Sequence, residues 1–352
     1  MNQFQTKSPL RLIMLTYGAW DHASSRERAV KYKPLLEATS AYHIWWIARV
    51  PEQPKNWIAK LAFPFIKRWL AIKRIALLIF LKWDIVFIQR LFLPGWQLKL
   101  MRKRRIPIIF DFDDAIYLNV PGQPRNQKRT ARMIQASSQV IVSSSELMSF
   151  CHGNDSDPVV IPTPVDTDRF KPRSNNADQI FTIGWIGSFW TTKYLYEIKD
   201  ALATVAKLRT MRLLLIGADP RFSLTGIPIV IKSWSYEKEP ELLQQMTVGI
   251  MPLTDDEWAQ GKGGYKLLLY MATGLPVVAS SVGINQEIVQ HGKTGFLANN
   301  QDEWVKYLIQ LSDDPKLCRK MGMAGREVVM KQYSREVCFK KLQICLKNLK
   351  KY

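Results

Sequence analysis

Apolar runs of β-type residues alternate with helix-patterned stretches almost from one end of the chain to the other. "RLIMLTYG", "HIWWIARV", "DIVFIQR", "IPIIFDFDD", "QVIVSSS" and "PVVIP" come first, each but the last followed by a helical pattern. Near-continuous apolar strands separated by helices specify a parallel sheet covered on both faces, because parallel strands need crossovers that bury both sides. The rhythm breaks at "PTPVDTDRFKPRSNNADQ", residues 162–179, whose Pro, Asn and Asp read as a linker. It restarts with "FTIGWIGS", "RLLLIGA", "IPIVIKSW", "GIMPL" and "PVVAS", separated by helical segments around 193–208, 237–246 and 264–273. Three polar helical pieces, "EWVKYLIQLSDD", "PKLCRKMGMAGREVVMKQY" and "SREVCFKKLQICLKNLKK", close the chain. The pattern predicts an α/β protein with two doubly wound parallel-sheet domains, residues 1–170 and 171–335, and a helix at 336–352 packing back on the first. Ligands of doubly wound sheets bind beyond the carboxyl ends of the strands, so two such domains facing each other predict a site in the interdomain cleft.

The 352 residues, 47% of them hydrophobic, suffice for two packed cores. No run of about 18 uncharged apolar residues occurs, and the opening "MNQFQTKSPLRLIML" lacks an apolar run of signal-peptide length, so a cytoplasmic protein is expected. Cys151, Cys318, Cys338 and Cys345 show no CxxC pairing and no His at metal-ligand spacing, which argues against a disulfide or zinc framework and for buried small hydrophobes.

A net charge of +20 calls for an anionic partner. Between Lys55 and Arg105 thirteen basic residues face a single acid, Asp84. "FPFIKRWLAIKRIALLIFLK" is apolar around most of its circumference, with Lys60, Lys67, Arg74 and Lys82 on one side at helical spacing and Arg68 nearby. With Trp57, Trp69 and Trp83 this fits a segment seated on an anionic membrane surface, peripheral to the bilayer. It fits equally a buried helix with a snorkelling basic rim. Nucleic acid is not expected, since no aromatic-interleaved motif or binding module accompanies the charge.

Two loops of the second half carry chemistry. In "IGWIGSFWTTKYLYEIKDAL" a strand ends at Gly187 and Ser188 and a helix is expected from Thr191 or Thr192, with Lys193 in its first turn. A lysine there opposes the helix dipole, so a phosphate is the economical partner; a solvated lysine beside a turn glycine is the alternative. In "GKGGYKLLLYMATGLPVVAS", Gly261, Gly263 and Gly264 leave backbone N–H groups bare, with Lys262 and Lys266 alongside. Two anion cradles in one half suggest a diphosphate, against a Gly-rich turn that serves helix packing.

Residues 162–335 resemble the donor-binding half of retaining family 4 glycosyltransferases, through "PVDTDRFKP", "IGWIGSFWTTK", "GGYKLLLYMATGLPVVASSVGINQEIVQHGKTGFLA" and "SDDPKLCRKMGMAGREVV". The resemblance implies the GT-B fold, two Rossmann-like domains, and a nucleotide-sugar co-substrate with no resident cofactor and no metal. It implies donor contacts from Gly187, Ser188, Thr192, Lys193, Lys262, Gly263, Gly264, Tyr265 and Lys266, and a base site near Trp234 and Ser235. Ser188 stands where the family has an arginine, so Lys262 or Lys266 is expected to supply that cation. Gly261 and Leu269 stand at the positions of the family's paired glutamates, and Glu257 is the substitute of choice. "WAQGKGGYKLLLYMATGLPVVASSVGIN" resembles a bacterial surface-polysaccharide subgroup in which the pair is replaced. The acceptor it implies is a glycan or a lipid-linked glycan such as a lipopolysaccharide precursor, which suits a basic, membrane-facing segment.

In the first half "HASSRERAVKYKPLLE" resembles the subgroup's first loop and helix, placing Gly18, Arg26 and Arg28 on the acceptor side. "IPIIFDFDDAIYL" delivers Asp111, Asp113 and Asp114 to the end of an apolar strand. Clustered carboxylates repel unless a cation, a proton or hydroxyls meet them. They fit acceptor positioning by Asp111 or Asp113 with Asp114 nearby, a divalent metal on a DxD, a haloacid-dehalogenase-like phosphatase with Asp111 as nucleophile, or acids capping the next loop. The expected catalytic set is Asp111, Asp113, Lys193 and Lys262, in an enzyme retaining the configuration of a transferred hexose. The rivals are the phosphatase and a non-catalytic, membrane-associated sugar-nucleotide-binding protein.

Overall fold

The computed structural model describes residues 8–52, 57–119, 125–173 and 180–349, and the side chains of these from Ala62 onward in the helix that starts at Trp57. The chain forms two compact units: Met1–Pro164 with Phe339–Tyr352, and Val165–Cys338.

The first unit holds strands β1 (Leu10–Thr16), β2 (Tyr42–Ala48), β3 (Ile85–Gln89), β4 (Ile108–Phe112), β5 (Gln139–Val142) and β6 (Val159–Val160). They pair in the order β2-β1-β3-β4-β5-β6, every pairing parallel. The second unit holds β7 (Phe181–Ile186), β8 (Met211–Ile216), β9 (Ile229–Lys232), β10 (Val248–Met251), β11 (Val277–Ser280) and β12 (Gly295–Ala298), in the order β12-β11-β10-β7-β8-β9, again all parallel. Four helices are labelled for use below: α1 (Trp57–Phe80), α2 (Glu257–Gln260), α3 (Tyr265–Ala272) and α4 (Arg335–Leu349).

Both faces of the second sheet are covered, which is why its strands read as continuous apolar runs. Along β8, Leu213 and Leu215 join one core with Trp185, Leu202 and Leu308, while Leu214 and Ile216 join the other with Tyr270, Leu268 and Ile284. In the first unit Ile13, Val86, Ile88, Phe110 and Phe112 pack into one such core. The four cysteines are buried and form no disulfide among the described residues. Phe339 of α4 stacks on Tyr32, ring centres 5.8 Å apart, and Leu342, Cys345 and Leu346 are buried.

Several expectations need correction. Residues 165–173 are not a loose linker: Val165 and Phe170 are buried, Val165 bridges to Ser334, and Asp166 pairs with Arg335 at 2.6 Å. Residues 174–179 of that stretch lie outside the described residues. Strand β12 begins on glycine and is too short to show period two, so its sequence gives no strand signal. α1 ends at Phe80, so Lys82 lies beyond it. Trp83 is buried, donating its indole N–H to the Leu77 carbonyl at 3.0 Å, so it belongs to the core and not to a membrane face. Lys55 and the side chains of Trp57 and Lys60 lie outside the described residues.

Candidate functional site

The second unit gathers its polar side chains beyond the carboxyl ends of β7 and β10. β7 runs into Gly187 and Ser188, and then a 3-10 segment, Phe189–Ile198, opened by a capping box between Ser188 and Thr191. Lys193 therefore sits past the first turn of a tighter helix than expected, and is exposed. Thr192 is buried and ties two loops together, donating to the Ser188 carbonyl at 3.2 Å and accepting the Asp219 amide at 2.9 Å. The amides of Gly187 and Ser188 are occupied, by the Ile216 carbonyl and by Thr191 Oγ1, so this loop offers an anion no bare N–H from either.

After β10, Asp256 caps the single-turn α2, accepting the Ala259 amide at 2.8 Å. Its carboxyl is held below the usual range by a hydrogen bond from Thr254, against the effect of burial, and further by the Ala259 and Trp258 amides and the charge of Lys193. Glu257, the proposed substitute for the family's glutamates, is the exposed first residue of α2. Gly264 then starts α3 in the left-handed region, φ 66°, where a Cβ would also lie 2.4 Å from Ile288 Cδ1. The Gly263 and Gly264 amides have no acceptor among the described residues, so the bare N–H groups of the site lie here.

Three lysines converge on these loops. Lys193 Nζ and Lys262 Nζ each lie 5.3 Å from the ring centre of the buried Tyr194, hence no more than twice that distance apart. Lys262 also lies 5.5 Å from the Trp258 ring. Lys266 projects from the first turn of α3 and rests its ammonium 4.0 Å from the ring centre of Trp185. Burial, then repulsion from Lys262, holds its amine well below the usual lysine range. Tyr265 is half-buried at the start of the same helix.

Trp234 and Ser235 serve local structure. The Trp234 indole donates to Glu239 Oε1 at 2.9 Å, and Ser235 caps the following turn through the Lys238 amide. Glu239 in turn lies 3.5 Å from Arg169.

The first unit corrects more of the sequence reading. Arg28, expected on the acceptor side, lies inside a π-helical turn, Arg26–Val30, and grips both oxygens of Asp111 at 2.5–3.2 Å. Both side chains are buried, and Arg28 also donates to the Ile161 carbonyl at 2.8 Å. Burial pushes the Asp111 carboxyl up, and the Arg28 guanidinium pulls against it. Where an acceptor-facing catalyst or a phosphatase nucleophile was expected, the structure has Asp111 as a buried partner of Arg28, with both carboxylate oxygens engaged. Arg26, also expected on the acceptor side, is likewise buried, bonded to Glu27 Oε1 at 2.9 Å and to the Trp20 carbonyl at 3.0 Å. Gly18 donates its amide to Ser25 Oγ at 3.1 Å.

Asp113 and Asp114 stay together through a residue the sequence reading missed. Arg90, just past β3 with φ 51°, bonds Asp114 at 2.7 Å, Asp113 at 3.4 Å and Ser24 Oγ at 3.1 Å. Burial opposes ionisation of Asp113, but Arg90, Arg28 and a hydrogen bond from Ser24 keep its carboxyl below the usual range. His22, beside this cluster, has its pKa lowered by burial and by Arg90 despite three nearby carboxylates, which favours neutral imidazole. Arg90 is the last residue of the run "DIVFIQR"; its position at a strand's carboxyl end was the signal available. Among the described residues no three His, Cys, Asp or Glu side chains are placed to hold a metal ion.

Residues 180–314 match the family described as Glycosyl transferases group 1. The N-acetyl-alpha-D-glucosaminyl L-malate synthase of Bacillus anthracis is 29% identical over 160 residues, 43% of this chain and 41% of that protein, so the match spans about two fifths of the curated relative. Among solved structures, sucrose-phosphate synthase from Thermosynechococcus elongatus superposes with a TM-score of 0.69 at 15% identity, over 96% of this chain and 99% of that one. The Anabaena protein HepE in complex with UDP and glucose does so with a TM-score of 0.64 at 15% identity, over 96% and 100%. The two parallel six-stranded sheets with their flanking helices are those of the GT-B fold.

Proposed function

We propose that this protein, whose residues 180–314 are a glycosyl transferases group 1 domain, transfers a sugar from a nucleotide-sugar donor to a glycan or lipid-linked acceptor with retention of configuration. The observation that carries the reading is the convergence of Lys193, Lys262 and Lys266 with the bare Gly263 and Gly264 amides. As the glycosidic bond breaks, negative charge grows on the departing diphosphate, and cations already in place stabilise it without reorganisation. Those cations are the chain's own, so the reading calls for no resident cofactor. HepE, with UDP and glucose bound, makes UDP the first nucleotide to try.

The acceptor is proposed to be membrane-borne, for use in surface-polysaccharide synthesis, with the enzyme working peripherally at the cytoplasmic face. Along α1, Phe65, Ile66, Trp69 and Ile72 are exposed beside Lys67, Arg68 and Lys73, an apolar strip rimmed by cations that suits anionic lipid. Among the described residues no helix is long and apolar enough to cross a membrane.

Two measurements test the reading together. Thermal melts with UDP, GDP and ADP should show stabilisation by at least one of them. Incubation with the matching nucleotide sugars and a lipid-linked glycan extract should release the nucleoside diphosphate. Absence of both responses across the three nucleotides would overturn it.

A further inference from the structure

Lys266 is a cation held where the protein alone gives it little support. It stands in the first turn of α3, against the helix dipole. No carboxylate pairs with it and no hydrogen bond holds it among the described residues; its contact is the face of Trp185. The charged groups around it do not help. From its own approach comes Lys262, of like sign. In the neighbouring loops Lys193 lies against the Tyr194 ring, and Asp256, the cap of α2, is already bonded to Thr254 and the Ala259 amide. The ammonium also closes on the end of β7: a Cβ at Gly187 would lie 2.7 Å from its nitrogen. Gly187 immediately precedes Ser188, which is uncharged.

We propose that Lys266 reaches the diphosphate from α3, beside the uncharged Ser188, and that its amine takes a proton from solvent as the nucleoside diphosphate binds and returns it on release. The inference rests on the donor site proposed above. In the empty site burial and Lys262 disfavour the charged amine; two phosphates alongside reverse that balance, since opposite charge at close range favours the ionised form. The proton enters from water and no bond in the ligand changes.

Calorimetric titration of the full chain with UDP tests this, at about pH 8.5, where the ligand's phosphates are fully ionised, in two buffers of different ionisation enthalpy. The wild type should show buffer-dependent heat corresponding to net proton uptake. Lys266→Met should bind UDP on the order of ten- to a hundredfold more weakly, without that dependence. Lys266→Arg, which keeps the charge and does not titrate, should bind nearly as the wild type does, also without it; this comparison stands alone if the Met variant fails to fold. Wild-type binding with no buffer dependence, or a dependence that persists in either variant, overturns the proton-coupled role and leaves the sugar-nucleotide reading standing. No binding of UDP, GDP or ADP overturns both.

Discussion

The ammonium of Lys266 and the indole of Trp185 meet at 4.0 Å, and the chain passes beside that contact only because the next loop begins with Gly187. A Cβ there would come within 2.2 Å of the Trp185 ring. Gly187→Ala must therefore displace the ring, the lysine or the loop. Overpacking of this kind costs about 1–3 kcal/mol, and it moves the cation as well. Affinity for a nucleoside diphosphate should fall at least about tenfold, more than a change in stability alone explains; calorimetry on the folded variant checks it, and undiminished affinity would refute the geometry.

Lys266 should also be a stability liability. Its folded pKa lies below the usual lysine value of 10.5, so the unfolded chain binds more protons. The penalty is complete at pH values below the folded pKa and fades as pH rises through 10.5, where both states are neutral. Without ligand, Lys266→Met should melt at a higher temperature than wild type near neutral pH, with the gain shrinking towards pH 10. A destabilised variant, or a gain that grows with pH, contradicts this.

Lys193→Ala should lower kcat by on the order of ten- to a thousandfold with the fold intact, since an exposed lysine at the departing diphosphate acts mainly as charge accumulates. A change below about twofold would remove Lys193 from the site.

Asp111→Asn should behave as a core lesion. Removing one partner of a buried ion pair costs about 3–5 kcal/mol because the other charge is left uncompensated, and among the described residues Arg28 has no second carboxylate bonded to it. Chemical denaturation should show that loss. Full stability with activity abolished would restore Asp111 to a catalytic role.

Phe65→Ser with Trp69→Ser should weaken binding to vesicles of anionic lipid on the order of tenfold or more, and salt should weaken the wild type. Binding indifferent to both would leave the exposed strip on α1 without a membrane function.

Much of the fold was legible because β7 and β8 are buried on both sides and so carry unbroken apolar runs, while the loops after them announce themselves with glycine and lysine. The glycines and lysines proposed for the donor site stand out this way. What the sequence hid was the partnering of charges. "DFDD" and "RER" read as reactive clusters, yet Asp111 and Arg28, far apart in the chain, cancel each other in the interior. Burial of that kind depends on the β4 register and the π-helical turn, neither of which leaves a periodic mark. Arg90 was hidden for a related reason: a positive φ at a non-glycine residue is fixed by its bonds to Ser24, Asp113 and Asp114, all distant in sequence. Trp83 misled for the opposite reason, since an aromatic near cations reads as interfacial until its indole is seen to bond inside the core.

A crystal structure of the chain grown with UDP puts the diphosphate reading to its plainest test. The two phosphates should lie within hydrogen-bond reach of the amines of Lys193, Lys262 and Lys266 and of the Gly263 and Gly264 amides. Phosphates found elsewhere, with none of those three amines in contact with them, would contradict it.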